Sequence, residues 1–230
     1  MNDTLFQVAA LVIPLIIAIV FHEVAHGWTA RALGDPTAAQ LGRLSLNPIK
    51  HVDPFGTIIL PGMLKLAGLP VFGWAKPVPV IKGRLRNPRR DMMIVAAAGP
   101  GSNLVMALIG AVALGLVMRG YAGATEPSIG VSFLVANLFN FILLNIFLAL
   151  FNLLPLPPFD GGHIVEGLLP PQAARKYAAM HGKALMIMIL LLVILPWIAP
   201  SLNVVAWLVL PPVEWLSDHY LKIAQAVAGS

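Results

Sequence analysis

Blocks of apolar residues long enough to cross a bilayer constrain this chain more than any other feature. A hydrocarbon core of about 30 Å takes roughly 20 helical residues, and runs of that length begin near Leu5, Met92, Val131 and Ala184. Apolar residues make up 58% of the chain and charged ones 11%, against roughly half and a quarter in soluble domains. Inside a bilayer each segment must satisfy its own backbone polar groups, which selects helices. The chain is therefore expected to be an all-α polytopic membrane protein, its 230 residues forming a single membrane-embedded domain.

Four spans are expected, over residues 5–33, 92–118, 131–154 and 184–210, the last bent at Pro196 and Pro200. The first is stopped by Gly34-Asp35-Pro36, and with no basic leader and Asp3 near its start it reads as an uncleaved span. Residues 55–74 are apolar but broken by Pro61, Gly62, Lys65, Gly68 and Pro70, which suits a re-entrant hairpin. Residues 41–46 and 76–82 alternate like short membrane-associated β segments. In the tail, Val213, Leu216, Tyr220, Ile223 and Val227 mark a C-terminal amphipathic helix, expected on the membrane surface.

Charge sets the orientation. If the hairpin returns to the side it left, twelve of the fifteen Lys and Arg residues fall in loops on one face, leaving Lys65 in the hairpin and Arg119 and Lys222 opposite. The positive-inside rule puts those loops in the cytoplasm and both termini outside. Anionic lipid also explains the net charge of +5 without nucleic acid. With no cysteine present, any metal must sit on His, Asp or Glu.

The first span holds FHEVAHG. His22 and His26 are one helical turn apart on one face, so both imidazoles can reach one ion. Glu23 lies beside them but angled away, where it can address water as a general base; this is the two-histidine zinc pattern of metalloproteases. An ionisable residue at membrane depth costs about 2.5–3.5 kcal/mol even on insertion scales, so the group points to function rather than to a polar helix face. A catalytic zinc needs a third protein ligand. Ala32 occupies the position ten residues after His22, where a third histidine of soluble enzymes would stand. Asp160 follows the helix-breaking Pro157-Pro158, precedes Gly161-Gly162, and arrives at the same end of the bundle as His26. It is the preferred third ligand, with His51 as its rival; Asp35, Asp53, His163 and Glu166 are further oxygen or nitrogen candidates. His163 suits a supporting donor, and His181 and His219 read as interfacial.

HEVAH in the first span, GPGSN in the next and NLLPLPPFDGG after another together resemble the site-2 proteases, across roughly residues 20–166. The segments GDPTA, LGRLSLNPIKHVDPFGT and WAKPVPV look like the compact bacterial branch without PDZ or CBS domains. The resemblance implies one Zn2+ per chain on His22, His26 and Asp160, and Glu23 as the catalytic glutamate. It also implies contact of Asn152 with the substrate backbone, and a bacterial cell (inner) membrane location with the active site toward the cytoplasm. The implied activity is cleavage of transmembrane protein substrates within the lipid bilayer, as in regulated intramembrane proteolysis. Gly99, Gly101, Ser102 and Asn103 are expected to serve close helix packing, and residues 76–82 to pair with an unwound substrate as an added strand. The competing reading is a divalent metal transporter using the same His-Glu-His helix. Transport needs sites leading to both faces, whereas the acidic and His residues here gather toward one end.

Overall fold

The computed structural model describes residues 3–69, 71, 73–121 and 127–229; Pro70 of the expected hairpin lies outside them. Four helices are long and apolar enough to cross a membrane: Thr4–Ala32, Pro88–Gly120, Ile129–Asn152 and Pro171–Ile198. In chain order the elements are α1 (Asp3–Ala32), the short α2 (Thr37–Gln40), α3 (Leu60–Leu66) and α4 (Pro88–Gly120). After them come α5 (Ile129–Asn152), α6 (Asp160–Leu168) and α7 (Pro171–Ala178). The chain ends with α8 (Ala184–Ile189), α9 (Leu195–Ile198) and α10 (Leu210–Ala228). Large apolar side chains such as Leu5, Val8, Val105 and Leu116 stay exposed on the long helices, as lipid-facing surfaces require.

The bundle is built around α4. Its small residues recur at helical spacing, so Gly99, Asn103, Ala107, Gly110, Ala111 and Gly115 are all buried, which lets neighbouring backbones approach closely. A Cβ on Gly110 would come within 2.9 Å of Phe141, and one on Gly115 within 2.4 Å of the Ala224 carbonyl. α1 runs antiparallel to α4, with His22 beside Asn103 and His26 beside Val95. α5 runs parallel to α1, and Asn140 donates to the Ala10 carbonyl at 2.8 Å. Ala107, Ala111, Leu114, Ile142 and Ile146 form the centre of the apolar core.

Residues 55–74 do return to the side they left. A π turn, Pro54–Ile59, feeds α3, and the helical stretch Pro54–Leu66 is too short to span. On the way back the Trp74 N–H donates to the Gly56 carbonyl at 3.1 Å and the Lys76 N–H to the His51 carbonyl at 2.8 Å. The outgoing and returning ends thus lie side by side.

Three expectations shift. No strand forms among the described residues: residues 76–81 are extended but unladdered, held by side chains instead of a neighbouring strand. The fourth span begins at Pro171 and stops at Ile198, not Leu210. Ala199 has φ −136° and ψ 88°, the extended geometry that Pro200 imposes on the residue before it. The tail helix carries the anticipated apolar stripe, but buries it against α4 and α5 rather than lying on the membrane surface. Val213 and Ala224 join the core, and the Tyr220 hydroxyl donates to the Leu104 carbonyl at 3.3 Å. A protein groove lined by glycine gives that stripe closer contacts than lipid can.

Candidate metal centre

His22 and His26 present their Nε2 atoms 3.1 Å apart, and Asp160 Oδ2 lies 3.1 Å from the first and 3.3 Å from the second. These three atoms come from a span and from a loop more than 130 residues later. A tetrahedral zinc with bonds of about 2.0–2.1 Å separates its ligand atoms by about 3.3 Å. The triangle already has that size. Asp160 Oδ2 is enclosed yet makes no hydrogen bond, as suits an oxygen placed to hold an ion with the two imidazoles.

The far side of each imidazole fixes its tautomer. His26 Nδ1 meets the Val95 carbonyl at 2.7 Å, and a carbonyl can only accept, so Nδ1 carries the proton and Nε2 keeps its lone pair for the centre. His22 Nδ1 likewise donates to Asn103 Oδ1 at 2.6 Å. The Asn103 amide donates in turn to Asn145 Oδ1 at 2.8 Å and to the Ala18 carbonyl at 3.2 Å. Asn103 and Asn145 are both fully buried, so an amide chain ties α1, α4 and α5 together behind the two imidazoles. Gly99 completes the cradle: a Cβ there would stand 2.4 Å from His26 Nε2 and 2.7 Å from His22 Cε1.

Asp160 is brought in by local chain chemistry. α5 ends at Asn152, and the chain turns through Pro157-Pro158, which cannot continue a helix. α6 then starts at Asp160 itself. Gly161 is pressed against the turn, and a Cβ on it would lie 2.3 Å from the carbonyl oxygens of Leu153 and Leu154. Only glycine permits that approach.

Glu23 faces the strap formed by residues 76–82, its Oε2 accepting the Val78 N–H at 2.7 Å. The strap is anchored along its length. Arg43 Nη2 donates to the Lys76 carbonyl at 2.9 Å, Asp35 Oδ2 accepts the Ile81 N–H at 2.6 Å, and Lys82 pairs with Glu166. His22, Glu23, His26, Trp74, Val78, Asn152 and Asp160 line one cavity of about 790 Å³. Asn152 sits in its wall, with one amide hydrogen on the Leu148 carbonyl of its own helix at 2.9 Å.

The other candidates are elsewhere. His51 is buried, and its Nε2 meets the Ser45 carbonyl at 2.8 Å, so the rival ligand does not join the triangle. Asp53 accepts the Gly56 N–H at 2.7 Å and caps the hairpin. Asp35 holds the Thr37 N–H at 3.0 Å as well as the strap. His163, Glu166 and His181 form a second group, of which His163 and His181 line the same cavity. Sequence reasoning missed the grip of Asn103 on His22; a lone amide in the middle of an apolar span was its signal. It also placed His181 at the interface, whereas that residue lines the cavity.

The model of Peptidase family M50 matches residues 10–139 and 124–195 of the chain. The chain is 40% identical over 218 residues to "Putative zinc metalloprotease YwhC" of Bacillus subtilis (strain 168), covering 94% of this chain and 91% of that protein. It is 30% identical over 189 residues to "Putative zinc metalloprotease Rip2" of Mycolicibacterium smegmatis, covering 82% of this chain and 66% of the relative. The Rip2 protein of Mycobacterium tuberculosis (strain H37Rv) is also 30% identical, over 218 residues, covering 92% of this chain and 76% of its own length. No solved structure matches.

Proposed function

The chain belongs to Peptidase family M50, and from that premise we propose that it is an intramembrane zinc endopeptidase that cuts transmembrane segments of other membrane proteins. The observation that carries the reading is the triangle of His22 Nε2, His26 Nε2 and Asp160 Oδ2, with sides of 3.1–3.3 Å. Its N2O donor set and size suit zinc. Such a zinc supplies Lewis acidity, polarising a peptide carbonyl and bringing the pKa of water toward about 7.

The chain's own residues do the rest. Glu23, next to the first ligand and in the cavity wall, takes the proton of the attacking water and returns it to the leaving amine. Asn103 and Val95 hold the two imidazoles in the tautomer that leaves Nε2 unprotonated. Asn152 offers its remaining amide hydrogen to the substrate backbone near the scissile bond. A transmembrane helix hides its carbonyls in its own hydrogen bonds, so the substrate must unwind before attack, and the extended strap offers it a partner backbone. The basic cluster Arg84, Arg86, Arg89 and Arg90 stands at the end of α4 nearest Asp160, which supports a cytoplasmic-side active site in a bacterial cell membrane.

One comparison tests the reading. Purified wild type and Glu23→Gln are assayed for bound zinc and for cleavage of a transmembrane reporter. The expected result is full zinc occupancy in both proteins and cleavage only by wild type. Zinc flux into vesicles without any cleavage would replace this reading with transport.

A further inference from the structure

Three residues outside the triangle meet beside the cavity: His163 on α6 and His181, in the 3-10 turn Ala179–Lys183 that leads into the fourth span's apolar half, line it, and Glu166 on α6 lies against both. Glu166 Oε2 lies 3.7 Å from His163 Nδ1 and 3.4 Å from His181 Nε2, and the three ligand atoms lie within 4.8 Å of one another. The two rings stack, with centroids 4.6 Å apart and planes 22° from parallel. His163 Nδ1 and His181 Nε2 are both enclosed and make no hydrogen bond. Enclosed polar atoms that make no hydrogen bond cost free energy and call for an occupant. Lys82 takes the other oxygen of Glu166 and aims the carboxylate.

The geometry points to a second metal site, on His163 Nδ1, Glu166 Oε2 and His181 Nε2, for a divalent transition ion such as zinc. Two imidazoles and one carboxylate form a donor set for zinc, cobalt or nickel rather than for calcium or magnesium. The group is looser than the first triangle. A bound ion therefore draws the Ala179–Lys183 turn toward α6, since its ligands must approach within about 3.3 Å of one another. Gly182, Ala184 and Leu185, beside His181, line the cavity. The ion thus pins the fourth span, just ahead of its apolar half, against α6 beside the cavity. If the chain is the protease proposed above, this second ion restrains substrate entry and inhibits it.

Metal counting on the full-length protein in detergent tests the site without relying on activity. Metal-free protein is titrated with zinc, desalted, and its bound metal measured. Wild type is expected to hold two ions, His181→Ala and His163→Gln one each, His22→Ala/His26→Ala one, and the His22→Ala/His26→Ala/His181→Ala triple variant none. A wild type that saturates at one ion, lost in His22→Ala/His26→Ala, overturns the second site while leaving the protease reading intact. Two ions retained by both His181→Ala and His163→Gln overturn it equally. If instead His22→Ala/His26→Ala holds as many ions as wild type, the failure belongs to the first triangle. Excess zinc is expected to suppress reporter cleavage by wild type and to lose that effect in His181→Ala; equal suppression in both refutes the restraint.

Discussion

Gly99→Ala should weaken zinc binding without unfolding the protein. The added Cβ would stand 2.4 Å from His26 Nε2, 2.5 Å from His26 Cε1 and 2.7 Å from His22 Cε1. Ordinary contact begins at 3.4 Å, so the His26 ring must retreat by 1.0 Å and the His22 ring by 0.7 Å, or α4 must back away. Neither ring is free to retreat, because each Nδ1 is bonded on its far side to Val95 or Asn103. Overpacking of this kind costs about 1–3 kcal/mol. A helical Gly-to-Ala change returns up to about 1 kcal/mol of propensity, so the net loss of stability is at most about 2 kcal/mol, short of unfolding. The loss falls on the centre: disturbed ligand orientation lowers metal affinity by about 10–100-fold, and a 1 Å misplacement at a reacting centre costs about 100-fold in rate. Zinc affinity is measured by chelator competition and rate by reporter cleavage. Gly101→Ala, whose Cβ would meet nothing within 4 Å, serves as the control. A Gly99→Ala protein with zinc affinity and rate within twofold of wild type would refute the cradle argument.

Asn103→Leu removes the acceptor of His22 Nδ1–H and the donor to Asn145. Zinc affinity should fall by about 10–100-fold, with about 1–3 kcal/mol of stability lost to buried groups left unpaired; unchanged chelator competition would discount the tie. A zinc chelator should abolish reporter cleavage, and added zinc but not magnesium should restore it; persistence of cleavage in metal-free protein would exclude the proposed chemistry. For Asp35, burial pushes the carboxyl up, but hydrogen bonds from Thr37 and the Ile81 N–H and the charge of Arg84 outweigh it and hold the group below its ordinary range. Its folded pKa is thus depressed, so its contribution to stability is complete above the unfolded value of about 3.9 and vanishes as pH falls through the lower folded value. Asp35→Asn should flatten the acid limb of the Tm-versus-pH curve, and parallel curves for the two proteins would contradict the assignment.

Much of this architecture is legible in the sequence, for identifiable reasons. Apolar run length alone marks three of the four spans within a few residues, because a bilayer imposes one length on every helix. The i, i+4 spacing of His22 and His26 dictates a shared face before any packing is known. Asp160 could be preferred but not separated from His51, since both lie in polar loops at one end of the bundle; their difference is tertiary. His51 is turned to the Ser45 carbonyl, while Gly161 lets the Asp160 turn close on α5. The fate of the tail was hidden for the same reason. An amphipathic stripe specifies an apolar surface but not whether lipid or a glycine-lined helix covers it. Residues 76–82 alternate as a strand would, yet the Val78 and Ile81 N–H groups end on the carboxylates of Glu23 and Asp35, partners that no local pattern announces.

Those carboxylates give the protein two independent handles. The imidazoles of His22 and His26, the proposed zinc ligands, are steadied from behind by α4, through Asn103, Val95 and Gly99. Glu23, the proposed proton carrier, is instead coupled forward, through one peptide N–H, to a ribbon fastened at His51, Arg43, Asp35 and Glu166. A tug at His51, Arg43 or Asp35 reaches Glu23 through a few bonds of that ribbon, without passing through Asn103, Val95 or Gly99.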